Sequence, residues 1–148
     1  MGDEVRVALS ADADLVTARA EARAMAERLG FPRPDPTLIA TAISEVGRNI
    51  IVHVGEGEII LRPVQETDRY GMVVIARDEG AGIRDLEAAL RGGYSGRDGL
   101  GLGLAGARRL MDEFDVRSDP DSGTTVTMSK WRPRDEVERM REQRRRRT

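Results

Sequence analysis

Asp78–Gly106, DEGAGIRDLEAALRGGYSGRDGLGLGLAG, holds nine of the chain's 16 glycines, and their clustering asks for a local cause. Glycine reaches positive φ without a Cβ clash and lets a ligand approach the backbone closely. The apolar run Met72-Val73-Val74-Ile75-Ala76 leads into Asp78-Glu79-Gly80-Ala81-Gly82. A carboxylate therefore stands at a strand end with a tight turn behind it. At the other end, Gly99-Leu100-Gly101-Leu102-Gly103 runs into a helical pattern. Free backbone N–H groups at a helix start favour an anion, and phosphate is the natural occupant. One end suits a base and the other suits phosphates, with 83–98 between them as a lid. That lid has few large apolar groups beyond Ile83, Leu86, Leu90 and Tyr94, so it is expected to order only on a ligand.

Other nucleotide motifs fail on residue inventory. Gly101-Leu102-Gly103-Leu104-Ala105-Gly106 fits G-x-G-x-x-G, but that fingerprint must follow a strand, and 92–98 is not one. A P-loop needs G-K-[ST], and a protein kinase of the common type needs a strand lysine on the phosphates. The only lysine is Lys130, beside Trp131 near the far end.

The 148 residues suit one domain with a sizeable core. Apolar content of 39% and charged content of 34% fit a soluble globular chain. The formal charge of −2 is unevenly placed: residues 134–148 carry seven arginines against four acids, leaving −5 on the rest. The body thus offers no field for non-specific nucleic-acid binding. The absence of cysteine excludes disulfides and thiolate chemistry, and a single histidine excludes a multi-histidine metal site. No apolar run suits a membrane span and no signal-peptide pattern opens the chain, so a cytoplasmic protein is expected.

Val5–Leu9 alternates as a short edge strand, and Leu15, Ala18, Ala22, Met25 and Leu29 mark an amphipathic helix stopped by Gly30. Asp35 reads as the N-cap of a second helix with Pro36 at its first position, and Ile39, Ile43, Val46 and Ile50 as its buried stripe. Glu45 and Asn49, four apart, share a face flanking that stripe. Such a pair can present a base and a metal-ligating oxygen to one small volume. His53, near the helix end, reads as a capping or half-buried residue rather than a catalytic one. Glu58–Val64 and Tyr70–Ala76 read as an antiparallel pair. A short helix is expected at 85–91 and a longer one over Leu104–Phe114. Phe114–Arg117 and Thr124–Trp131 follow as a strand pair turned at 119–123. The tail from Arg134 reads as a polar helical segment, solvated or frayed. The order predicts an α+β fold: a two-layer α/β sandwich whose mixed, mostly antiparallel sheet carries helices on one face. The domain is set at 1–132 and the Arg-rich tail at 133–148.

Taken together, Glu45-x-x-Arg48-Asn49, Asp78-x-Gly80-x-Gly82, Gly99-x-Gly101-x-Gly103 and Ser122-Gly123-Thr124 resemble the N box and the three glycine boxes of the GHKL ATPase superfamily, which has the Bergerat fold. Within it, Thr41–Asn49 and Arg109–Phe114 are most similar to the RsbT group of serine/threonine kinases. The resemblance implies ATP and Mg²⁺ as cofactors. Asn49 would ligate the metal, Glu45 would be the general base, and Asp78 would accept from the adenine amino group. Gly80 and Gly82 would pass close to the base, Thr124 would support Asp78, and the amides of Gly99, Leu100, Gly101, Leu102 and Gly103 would hold the phosphates. Arg48 matches the RsbT form of the N box. The implied partners are STAS-domain proteins (RsbS/RsbR-like) and a PP2C-type phosphatase (RsbU-like), with no membrane and no nucleic acid bound by the core domain. The alternative is an RsbW-like anti-sigma factor that binds a sigma subunit and phosphorylates an anti-anti-sigma factor.

Overall fold

The computed structural model describes residues 3–82 and 103–147. The expected lid, the short helix at 85–91, and Gly99, Leu100, Gly101 and Leu102 lie outside the described residues.

Strand β1 (Val5–Leu9) is followed by helices α1 (Asp12–Arg28) and α2 (Asp35–His53). Asp14 opens α1, its carboxylate accepting the N–H groups of Ser10 at 2.8 Å and Ala11 at 3.1 Å. These donors, with the Ser10 hydroxyl, hold the Asp14 carboxyl below its usual range. Gly30 at φ 78° lets the chain leave the helix. Helix α2 starts one residue earlier than the sequence suggests. Pro34 is the cap and Asp35 the first helical residue, because the Asp35 N–H already turns back onto Pro32 O at 2.8 Å. Asp35 therefore adds its charge to the first turn rather than capping it. The predicted stripe is buried: Ile39 and Ile43 are fully covered, and Val46 and Ile50 nearly so.

Strands β2 (Gly57–Gln65) and β3 (Arg69–Asp78) pair antiparallel, Ile60 opposite Ile75. Helix α3 (Gly103–Leu110) then leads into the hairpin of β4 (Glu113–Asp119) and β5 (Gly123–Pro133). The expected helix over 104–114 stops at Leu110. There Lys130 Nζ donates to the Leu110 carbonyl at 2.8 Å, and the Asp112 N–H turns to Ser129 O at 2.9 Å. These bonds draw the chain out of the helix and into the sheet. The one lysine thus caps a helix C-terminus, where a cation complements the dipole.

The five strands lie in the order β1-β2-β3-β5-β4, and every neighbouring pair is antiparallel. With period-2 alternation, Ile59 and Leu61 of β2, Met72, Val74 and Ala76 of β3, and Val126 and Met128 of β5 share the face that meets α1, α2 and α3. The other face carries a charged ladder in which Glu4 bridges Arg6 and Arg62, and Glu58 pairs with Arg77. Such exposed pairs add little stability. At the β4–β5 end, Glu113 accepts from the Ser129 hydroxyl and from Trp131 Nε1, and these bonds lower its pKa. No described helix is long and apolar enough to cross a membrane.

The tail is helical, α4 (Glu136–Arg147), and its first turn is tied down. Glu138 takes two hydrogen bonds from Arg132, at 2.6 and 2.8 Å. Arg132 also donates to Leu29 O at the end of α1. Arg134 is 4% exposed and donates to the carbonyls of Glu66, Thr67 and Glu138. The Arg132 guanidinium, aided by the Asp135 N–H and opposed by burial, holds the Glu138 carboxyl down to about 2 from 4.5. Since the folded value lies below the ordinary one, this contribution is complete above about pH 4.5 and is lost as pH falls toward 2. Amide exchange of 136–147 should therefore accelerate across that window. Glu138→Gln should show the released behaviour at neutral pH, at a cost of about 1–3 kcal/mol. Identical exchange in wild type and variant would rule out the clasp.

Candidate functional site: the flank of helix α2 and the end of the sheet

Helix α2 carries the site on the flank of its buried stripe. Glu45 and Asn49 are half-buried, one turn apart, as their i,i+4 spacing requires. Among the described residues no hydrogen bond or ion pair occupies Glu45. Asn49 faces the start of α3: a Cβ built on Gly103 would stand 3.6 Å from Asn49 Nδ2 and 3.9 Å from Oδ1. Gly103 has φ +29°, a value side-chain-bearing residues rarely take. The last glycine of the Gly99-x-Gly101-x-Gly103 box and the N-box amide are thereby brought together. Arg48, exposed on the same helix, points away from the core.

The base end forms where β3 and β5 meet. Asp78 continues the alternation of Met72, Val74 and Ala76, so its side chain lies on the helix-covered side. Its Oδ1 accepts the Gly80 N–H at 2.8 Å, which fixes the carboxylate and closes the turn. Among the described residues the other oxygen has no hydrogen-bond partner. Thr124 is its cross-strand partner and is 8% exposed. The Thr124 hydroxyl lies 2.8 Å from the Ser118 hydroxyl of β4, so this row runs across three strands. Gly80 packs against Val54 at the end of α2: a Cβ there would come within 2.6 Å of a Val54 methyl. Gly82 has φ +81° and lies against the Asp119 backbone.

Gly123 was quoted in the motif but not singled out as a site residue, and the structure makes it decisive. Its φ is +83°, and a Cβ would fall 2.1 Å from Asp78 O and 2.7 Å from Glu79 Cα. Only the bare backbone lets β5 start against the Asp78 turn. Its position after Ser122 at the hairpin turn was the available signal. Gly47 was passed over too; a Cβ there would meet Leu15 Cδ2 at 2.2 Å, so it sets how closely α1 packs on α2. His53 is exposed at the last turn of α2, not half-buried, because it lies on the solvent side of the helix end.

Residues 8–130 match the histidine kinase-like ATPase domain. The chain belongs to that family. It is 40% identical over 131 residues to the serine/threonine-protein kinase RsbT of Bacillus subtilis, covering 88% of this chain and 98% of that protein. It is also 36% identical over 108 residues to an anti-sigma F factor of Caldanaerobacter subterraneus, covering 66% of this chain and 74% of that protein. The anti-sigma F factor of Bacillus subtilis is 32% identical over 108 residues, covering 65% and 73%. The chain is thus a homologue of the kinase RsbT with the GHKL-type ATPase fold. Of the residues such a family would use for a nucleotide, the described ones include the Asp78 carboxylate, with one oxygen on the Gly80 N–H, the glycines of a tightly packed turn, and Asn49 beside the start of α3.

Asp78→Asn keeps the size but puts a donor where an acceptor is needed, so ATP affinity should fall roughly tenfold to a hundredfold. Calorimetry checks this, and an unchanged Kd would remove Asp78 from the site. Gly123→Ala should abolish binding and lower stability by about 1–3 kcal/mol, since both φ and the Asp78 carbonyl oppose a Cβ. Thermal unfolding reads the second effect.

Proposed function

We propose that the chain is an ATP- and Mg²⁺-dependent protein serine/threonine kinase of the RsbT type. The observation that carries the reading is the pairing of Glu45 and Asn49 on one flank of α2, with Asn49 against Gly103. The near full-length similarity to RsbT supports it. Mg-ATP would supply the phosphoryl group and neutralise its charge, and phosphoryl transfer asks mainly for positioning and electrostatics. Asp78 accepts the adenine amino hydrogen while Gly80, Gly82 and Gly123 keep the backbone clear of the base. Asn49 would hold the metal through its side-chain oxygen. Glu45, unoccupied by any described partner, takes the proton from the acceptor serine hydroxyl. The amides of Gly99, Leu100, Gly101, Leu102 and Gly103 hold the phosphates; of these only Gly103 is described, and the others rest on the resemblance. By the same family reading the substrates are STAS-domain antagonists. The kinase also binds and activates a PP2C-type phosphatase, in the cytoplasm.

The anti-sigma F relatives support a second reading, an RsbW-like anti-sigma factor that binds a sigma subunit and phosphorylates its antagonist. Arg48, which completes the RsbT form of the N box, favours the kinase-switch reading. Purification on immobilised partners separates the two: a STAS-domain protein or a sigma subunit should be retained, not both.

Glu45→Ala should bind Mg-ATP as wild type does and lose about 10²–10⁴ in phosphorylation rate. Asn49→Ala should weaken Mg²⁺-dependent ATP binding itself. Transfer to a STAS-domain protein at the wild-type rate by Glu45→Ala would remove the assigned base.

A further inference from the structure

The Asp78 end of the sheet holds a second hydroxyl that neither the glycine boxes nor the resemblance singles out. Ser118 continues the alternation of Phe114 and Val116, the β4 residues packed against the core, so its side chain lies on the helix-covered side. There it stands opposite Thr124 of β5, and Thr124 stands opposite Asp78 of β3. The Ser118 and Thr124 hydroxyls are 2.8 Å apart. Ser118 Oγ also lies against the first glycine box: a Cβ built on Gly82 would stand 3.1 Å from it. One side chain thus reaches both the turn behind Asp78 and the hydroxyl beside it.

A hydroxyl carries one proton and two lone pairs, and its proton turns to the strongest acceptor in reach. Cross-strand neighbours on one face have Cβ atoms about 4.5–5.5 Å apart, so for Thr124 that acceptor is the Asp78 carboxylate. The negative charge draws the Thr124 proton to the Asp78 side. A lone pair of Thr124 Oγ1 is then left to accept the Ser118 proton, and 2.8 Å suits such a bond. Thr124 is 8% exposed, so little water competes for its hydroxyl. With Ser118 donating, the row presents a donor from Thr124 beside an acceptor from Asp78. Without Ser118, the Thr124 hydroxyl can turn and offer lone pair or proton alike.

We propose that Ser118 is a positioning residue for base selection, donating to Thr124 Oγ1 and so fixing the Thr124 proton toward the Asp78 side of the site. This role rests on the ATP-kinase reading above and adds to it a residue that sharpens the choice of base. Adenine offers an amino donor beside a ring-nitrogen acceptor on one edge, and an acceptor paired with a donor matches that order. Hypoxanthine offers a carbonyl beside a ring N–H, the reverse order, and leaves both protein groups mispaired. Ser118 acts on the base only through Thr124.

The test is calorimetric binding of ATP and of inosine triphosphate, each with Mg²⁺, to the full chain. The wild type should prefer ATP by about tenfold or more. Ser118→Ala should bind ATP roughly threefold to tenfold more weakly, the worth of one neutral hydrogen bond, and hold inosine triphosphate within about twofold of the wild type. Ser118→Thr restores a hydroxyl on the same Cβ and should return ATP affinity to within about twofold. Ser118→Ala/Thr124→Val should bind ATP no more weakly than Thr124→Val alone, since the two hydroxyls act as one unit. Circular dichroism checks that each variant keeps the fold. An equal fall for both nucleotides in Ser118→Ala would mean a loosened hairpin and overturn the role. Unchanged ATP affinity in Ser118→Ala, additive losses in the double variant, or a wild type that binds both nucleotides alike would overturn it too. Each of these leaves the kinase reading standing, whereas a wild type that binds no Mg-ATP overturns that reading and this role together.

Discussion

The close approach of β5 to the end of β3 is the constraint from which the nucleotide end of the molecule follows. Gly123 lies so near Asp78 O that no side chain fits between them. With the strands held at that separation, Asp78 and Thr124 become neighbours on the helix-covered side of the sheet. The same approach turns the chain at Glu79 and sends Gly80 against Val54, so the sheet end and the helix end meet. A hairpin only slightly wider would leave the Asp78–Glu79 backbone without the support of β5.

Along α2 the problem is different, because one helix must serve a core and a site at once. Ile39, Ile43, Val46 and Ile50 are taken up by packing against the sheet, and Gly47 by the passage of Leu15. Glu45 and Asn49 occupy the margin between that stripe and solvent. Partial burial is useful there. It restricts water around the two groups without imposing the large desolvation cost of a fully enclosed charge.

Much of this was legible in the chain, because the signals were periodic or chemical. The α2 stripe, the strand alternation of Val126 and Met128, and the glycine clusters each carry a local rule that the fold obeys. Boundaries were less legible. Asp35 resembles a cap until the Pro32 carbonyl claims its N–H, and the helix after Gly103 resembles a longer one until Lys130 and Ser129 end it. Those decisions belong to partners distant in sequence. The anchoring of the tail was hidden for the same reason: Arg132 and Arg134 are ordinary surface arginines in composition, and only the fold sets them against Leu29, Glu66 and Thr67. Glu45, Asn49 and Asp78 were suggested by type, spacing and resemblance, and the fold sets Asn49 beside Gly103 and Asp78 beside Thr124. Gly123 is important for what it lacks, and a missing side chain gives a sequence pattern little to hold.

The shared helix has a consequence for how this protein can vary. Glu45 and Asn49 are rigidly phased to Val46 and Ile50, about 100° apart per residue on one backbone. A substitution that fills or empties the core beneath α2 must either be absorbed by the sheet or rotate the helix. Rotation would swing both functional side chains by the same angle, carrying Asn49 off Gly103. A change in the hydrophobic interior beneath α2 is therefore also a change in where Glu45 and Asn49 stand, unless the opposing strands change with it.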